Sequence, residues 1–350
     1  MRRIWAALLL GGLMSLSTAS VWAAETIIIS GSGGSLTDVQ KSVYQEPFTR
    51  KTGIQIQNIA TTNRISALKA MKLTGKALWD LTELSGPEYQ QAIEGHYLQP
   101  LDWKVIDPEN KMPKMAKREY GLAVASYSTI LAVRTDKLPK GKEMKSWKDF
   151  WDVKDFPGPR ALQKGALDNL EFALLADGVS KDKIYDVLRT DEGVDRAFKK
   201  LDEIKPYITT WWTAGAQPVQ MLANGDVYYT SAWNGRITKL AADGVPARII
   251  WNEGSLKPSF NSIPVGAKHP KEAEQYLAFT ISDAKMNADF AKQMPYPGFV
   301  PKLYDYMSKE QAESMPTYPP NVAVQFESDN SYWAKWRAKL DERFQAWLLQ

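Results

Sequence analysis

There is no cysteine among the 350 residues, and there are only two histidines, His96 and His269. The first absence removes disulfides, thiolate nucleophiles and sulfur-ligated metals, together with the lipid-modified cysteine that would anchor an exported chain. The second leaves too little imidazole for a histidine-built metal centre. Both histidines stand among polar neighbours, in EGHYLQP and AKHPKEA, as surface residues do. No GxSxG motif is present and no histidine accompanies a candidate serine, so a secreted hydrolase would lack an activated nucleophile. Excess charge is scarce too: the net charge is +4, and Arg2 and Arg3 supply two of it. A remainder so near neutrality gives no footing to nucleic acid or to an anionic membrane.

What is present begins with Arg2-Arg3, an apolar stretch from Ala6 to Met14, and Val21-Trp22-Ala23. These are the basic, apolar and small-residue parts of a secretion signal, too short for a membrane span. Residues 1–23 are therefore expected to be removed, giving a soluble periplasmic or extracellular chain that starts at Ala24. Its length exceeds what one core serves, so two lobes are expected. The first lobe takes residues 24–131 and the second 132–258. Residues 259–350 return to the first lobe and end in docking helices.

Strand and helix patterns alternate from the start: a strand at Thr26–Ile29, a helix over 37–52, a strand at 53–57, a helix over 63–74, a strand at 77–82. That alternation predicts an α/β fold with a parallel sheet. Gly121–Val133 is apolar, rich in β-branched residues, and long enough to leave one lobe and enter the other. Arg248–Trp251 and Phe260–Val265 read as two further strands. The chain closes on a helix from about Asn330, whose Trp333, Trp336, Leu340, Phe344 and Trp347 form a docking stripe.

The stretch Trp211–Leu240 reads as strand, helix, strand and helix start. Gly215 offers a permissive backbone after the first strand, and Asn224-Gly225 stops the first helix. Trp233-Asn234 lies where the second strand leaves the sheet. Such a unit presents loops and helix N-termini at the carboxyl edge of the strands, where α/β folds bind ligands. Trp212 and Trp233 beside Asn234 offer flat apolar faces and an amide, which suits a small organic ligand with an amine. Core packing is the competing account of both tryptophans.

Three other places face that edge. Ser30-Gly31-Ser32-Gly33-Gly34-Ser35 follows the first strand, but it is neither a phosphate-binding P-loop nor GxGxxG. Ser85-Gly86-Pro87 follows the third strand. Asp168 and Glu171, three apart on a helix, would either neutralise an ammonium or form a solvated face. Tyr228-Tyr229 is the pair a ferric-ion binder would use, but adjacent strand residues face opposite ways.

In order along the chain stand IIISGSGGS, FTRKTGI, WDLTELSG, ASYSTILAVRTDKLP, LEFALLADGV, SAWNGR, NSIPVGAKHPKEAEQYLAF and MPYPG. Together they resemble the periplasmic solute-binding proteins of ABC importers, in the polyamine-type branch, over nearly the whole chain beyond the signal. The resemblance implies a type II periplasmic-binding-protein fold, with two lobes joined by crossing segments and a cleft that closes on its ligand. It implies a non-catalytic monomer without cofactor or metal, whose partners are a small amine-bearing solute and a membrane permease. Carried across residue by residue, it implies a cleft lined by Gly33, Ser85, Trp212, Gly215, Trp233, Asn234, Phe260, Asn261 and Tyr296, with Asp168 in an acidic region. Polyamine members hold tryptophan and aspartate near the place of Phe260 and Asn261, and small residues near Arg236. These departures make an amino acid such as 4-aminobutyrate as strong an expectation as a diamine. A ferric-ion-binding protein and a secreted hydrolase are the alternatives.

Overall fold

A computed structural model describes residues 25–350; the expected signal lies outside the described residues. In the first lobe, β1 (Thr26–Gly31) pairs in parallel with β2 (Gln55–Ala60) and β3 (Leu81–Leu84). A two-residue β4 (Lys117–Arg118) then turns into β5 (Gly121–Arg134). In the second lobe, β6 (Arg160–Gln163) lies between β7 (Ile208–Trp212) and β8 (Tyr229–Trp233), again in parallel. The chain returns along β9 (Ala247–Ser262), and β10 (Phe326–Glu327) adds in parallel to β9 at Ser255–Leu256. One sheet results, in the order β2-β1-β3-β9-β5-β8-β6-β7.

The central pair organises everything else. β5 and β9 run antiparallel through both lobes, from Leu122 opposite Asn261 to Arg134 opposite Ala247. The expected crossing strand is therefore present, and its partner spans both lobes as well. Residues 248–251 and 260–265 are expected as separate strands. Instead they belong to one sixteen-residue strand. The register jumps from Ser255 opposite Thr129 to Ile250 opposite Leu131, so the intervening residues bulge out, with Glu253 at φ 62°. Trp147 holds the bulge: its backbone N–H donates to the Glu253 carboxylate and its indole N–H to the Glu253 carbonyl, both at 3.1 Å.

Alternation along β5 feeds two cores in the second lobe. Leu131 and Val133 face one, with Trp147, Phe172 and Phe198; Ile130 and Ala132 face the other, with Trp212 and Ile237. The first lobe has its own core around Ile27, Phe48, Leu81, Phe260 and Tyr276. The terminal helix Asn330–Leu348 docks its apolar stripe in the second lobe and not in the first, to which residues 259–350 are expected to return, burying Trp333, Leu340, Phe344 and Trp347, while Trp336 is half-buried. The Trp347 indole N–H reaches Asp202 at 2.7 Å. The helix expected over 37–52 starts at Gly34 and runs to Thr52, with a π-helical turn at Lys41–Gln45 between its two α-helical parts.

Candidate functional site

Strand direction fixes where the site lies. β3 runs antiparallel to β9, with Thr82 opposite Ser262 and Leu84 opposite Phe260, so its carboxyl end points toward the second lobe. β8 runs antiparallel to β5, with Tyr229 opposite Val133 and Trp233 opposite Thr129, so its carboxyl end points toward the first. The parallel strands of both lobes thus converge on the middle of the crossing pair, where Tyr127 is opposite Lys257. Loops and helix N-termini gather there from both sides, as ligand-binding α/β edges require.

The second lobe contributes an aromatic wall. Trp233, half-buried, ends β8 and rests edge-to-face on Trp212, with ring centroids 5.9 Å apart. Gly215 lies flat against the same ring: a Cβ built there would stand 2.3 Å from Trp233 Cζ3. The exposed Arg236 guanidinium sits 5.7 Å from the Trp233 centroid. Tyr127 meets Trp233 edge-on at 6.3 Å, and Tyr296 covers Gly235, where a Cβ would come within 2.7 Å of its ring. Gly215→Ala is therefore expected to displace Trp233, costing about 1–3 kcal/mol of stability as an overpacked contact. Urea denaturation checks the cost, and a near-UV circular dichroism change in the variant checks its cause.

Two expected wall residues take other roles. Trp212 is fully buried in a core behind Trp233, so it supports the wall without forming it. Asn234 is fully buried too: its Oδ1 accepts the Ser128 N–H at 2.8 Å and its Nδ2 donates to the Pro295 carbonyl at 3.4 Å. It clasps the helix start, the crossing strand and the Tyr296 loop together, which leaves its amide no free face toward a ligand.

Asp168 and Glu171 do not share a helix face. Asp168 precedes the helix Asn169–Ala176, in the left-handed region at φ 72°. It is 2% exposed and bonded through both oxygens to the Lys257 ammonium at 2.7 and 2.9 Å. The ammonium that the acid was expected to attract is the chain's own. Glu171 turns into the core, where its Oε1 accepts from the Tyr185 hydroxyl at 2.9 Å and the Trp333 indole at 2.6 Å.

On the first lobe's edge, Gly33 takes φ 74° at the start of the helix Gly34–Gln40, with Ala60 against it. Ser85 spends its N–H and its hydroxyl on Glu88 Oε2, at 2.9 and 2.7 Å, in a capping box. Arg64 ties the glycine loop to that helix start, donating to Ser32 Oγ at 2.8 Å and Glu88 Oε1 at 3.2 Å. Phe260 is not a wall: it stacks on Tyr89 at 4.4 Å inside the first core. Being consecutive in β9, Phe260 and Asn261 point to opposite faces of the sheet. Asn261 lines a small cavity of ≈ 30 Å³ together with Gln40 and Tyr44.

Beside Asn261, across the strand pair, stands Glu83. This carboxylate was not singled out in the sequence, although a lone charge inside the apolar strand Leu81–Leu84 was a signal. It is half-buried at the carboxyl end of β3 and is bonded by Gln40. A Cβ on Gly31 would stand 3.0 Å from its Oε2, so the glycine loop closes directly over it. Burial pushes the Glu83 carboxyl above its ordinary range, against the pull of the Gln40 bond, the Arg64 charge and the Ser32 backbone. Tyr228 and Tyr229 lie at the other end of β8, away from the convergence: Tyr229 is buried against Arg160 and Tyr228 lies on Gly158.

Residues 44–320 match the family of bacterial extracellular solute-binding proteins. The chain belongs to that family. It is 36% identical over 335 residues to the gamma-aminobutyric acid-binding protein of Pseudomonas aeruginosa, a span of 95% of this chain and 94% of that one. Among solved structures, it is similar to an ABC transporter substrate-binding protein from Bradyrhizobium japonicum at 33% identity and a TM-score of 0.78, covering 92% of this chain and 99% of the other. A GABA receptor structure is 32% identical with a TM-score of 0.78, over 93% and 98% of the two chains. The protein is thus a solute-binding protein of the ABC-transporter class, on the two-lobed type II frame, and its relatives are binders of substrate.

Proposed function

We propose that this protein captures a small amino acid with separated charges, 4-aminobutyrate or a close homologue, in the periplasm and hands it to an ABC importer's permease. The observation that carries the reading is the division of charge between the two edges. The first lobe brings Glu83, a half-buried carboxylate under the glycine loop, and the second brings Arg236 beside the Trp233 face. Glu83 suits an ammonium, Arg236 a carboxylate, and the indole suits the methylenes between them. Asn261, beside Glu83, adds a neutral acceptor. The names of the relatives point the same way, since two of them bind GABA. The crossing strands β5 and β9 join the lobes, and their irregular registers provide a place to bend. On this reading the chain works as a monomer, with its signal removed.

Calorimetric titration tests the reading. 4-Aminobutyrate is expected to bind at least tenfold more tightly than butylamine or butyrate, each of which loses one charge-assisted partner. Putrescine binding more tightly than 4-aminobutyrate would overturn it.

A further inference from the structure

Lys257 reaches inward from the middle of β9, with its side chain 11% exposed. Its ammonium lies 2.7 and 2.9 Å from the two Asp168 oxygens, 2.9 Å from Thr129 Oγ1 and 2.9 Å from Ser255 Oγ. The Tyr127 ring is centred 5.7 Å away. A carboxylate, two hydroxyls and an aromatic face make a complete receptor for a primary ammonium. Tyr127 in turn touches Trp233, so this receptor adjoins the aromatic wall. An ammonium has three hydrogens, and four acceptors already compete for them, so Lys257 has none to offer a ligand carboxylate.

We propose that Lys257 is a tethered ammonium that fills an amine pocket beside the cleft and so makes the protein refuse diamines. The pocket binds a primary amine by its own chemistry, and the chain has closed it with one of its own side chains. This deepens the reading of the cleft as the binding site and rests on it. A diamine needs an anionic partner at each end, and Asp168, neutralised from inside, supplies none beside Glu83. Whether the pair is merely an internal staple is decided by what a free amine does once the tether is cut.

Lys257→Ala removes three methylenes and the ammonium, the shape of propylammonium. The variant is expected to lose thermal stability and to recover it with propylammonium chloride, but not with propanol or sodium chloride. It is also expected to bind putrescine about tenfold or more tightly than the unaltered protein does, the difference that one charge-assisted bond makes. Lys257→Met combined with Asp168→Asn, a neutral pair of similar volume, should show neither response. If Lys257→Ala does not fold alone, its refolding yield with propylammonium against propanol reads the same pocket. Equal recovery with both, or no gain in putrescine affinity, overturns the proposal. The propylammonium response does not involve 4-aminobutyrate, so a failure of that ligand to bind would sink the proposed function and leave the pocket standing.

Discussion

Glu83→Gln is expected to bind 4-aminobutyrate about tenfold or more weakly than the unaltered protein, and to melt at a higher temperature. The weakening follows from exchanging a charge-assisted bond for a neutral one, a difference of about 1.4 kcal/mol or more. The gain in melting temperature follows from burial: the carboxyl's proton affinity is raised chiefly by desolvation, so the charged form is held at a cost that glutamine avoids. Gln40 and Ser32 keep a carbonyl oxygen to bond, so the fold loses no partner. Because the raised carboxyl takes up a proton above the ordinary range, affinity in the unaltered protein should begin to fall at a higher pH than an ordinary carboxylate allows. In the variant that step should vanish. Calorimetry across a pH series and a thermal melt check both halves. Unchanged affinity with a raised melting temperature would mean that Glu83 is an unused buried acid and that the ammonium binds elsewhere.

The opposition of effects in that variant also explains what was legible in the sequence. Runs that obey one rule read correctly to within a residue or two: Thr26–Ile29 as a strand into a glycine turn, Gly121–Val133 as a strand long enough to cross between lobes, the Trp333–Trp347 stripe as a docking face. Errors occurred where a residue breaks the local rule and a distant partner supports it. Asn252-Glu253-Gly254 looks like a turn, and only Trp147, far away in sequence, makes it a bulge within one strand. Asp168 looks like a helical neighbour of Glu171, and only Lys257, 89 residues on, shows that it stands outside the helix with its charge matched. Of the expected wall residues, Trp233, Gly215 and Tyr296 come together around one ring and helix start. Trp212, Asn234 and Phe260 are buried behind the surfaces they were expected to form. For Phe260 and Asn261 the signal was available, since alternation forbids two adjacent strand residues from sharing a wall. Glu83 is the reverse case, a charge whose placement between leucines had no structural reason and so pointed to a use.

Glu171 is expected to make stability depend strongly on pH between acid and neutral solution. Its carboxyl is buried in the second core, and desolvation first, then the nearby Asp168 charge, raise its pKa from the ordinary 4.5 to about 7. Bonds from Tyr185 and Trp333 pull the other way without cancelling this, and both fall on Oε1, leaving Oε2 with no protein partner. Between those two pKa values the folded state holds more protons than the unfolded chain, so stability falls as pH rises. The contribution is fully present below about pH 4.5 and is lost by about pH 7; at about 1.4 kcal/mol per unit it is at most about 3.5 kcal/mol. Glu171→Gln keeps an oxygen for Tyr185 and Trp333 and never carries the charge. At pH 4 the variant and the unaltered protein should therefore unfold at nearly the same urea concentration. At pH 8 the variant should be the more stable by about 2–3 kcal/mol, the upper figure being set by how well the buried charge is solvated. Taking the difference between the two proteins at each pH removes from the comparison every titrating group that does not interact with Glu171. A difference that stays flat from pH 4 to pH 8 would show that Glu171 holds the same protonation state throughout, and that its bonds from Tyr185 and Trp333 outweigh its burial.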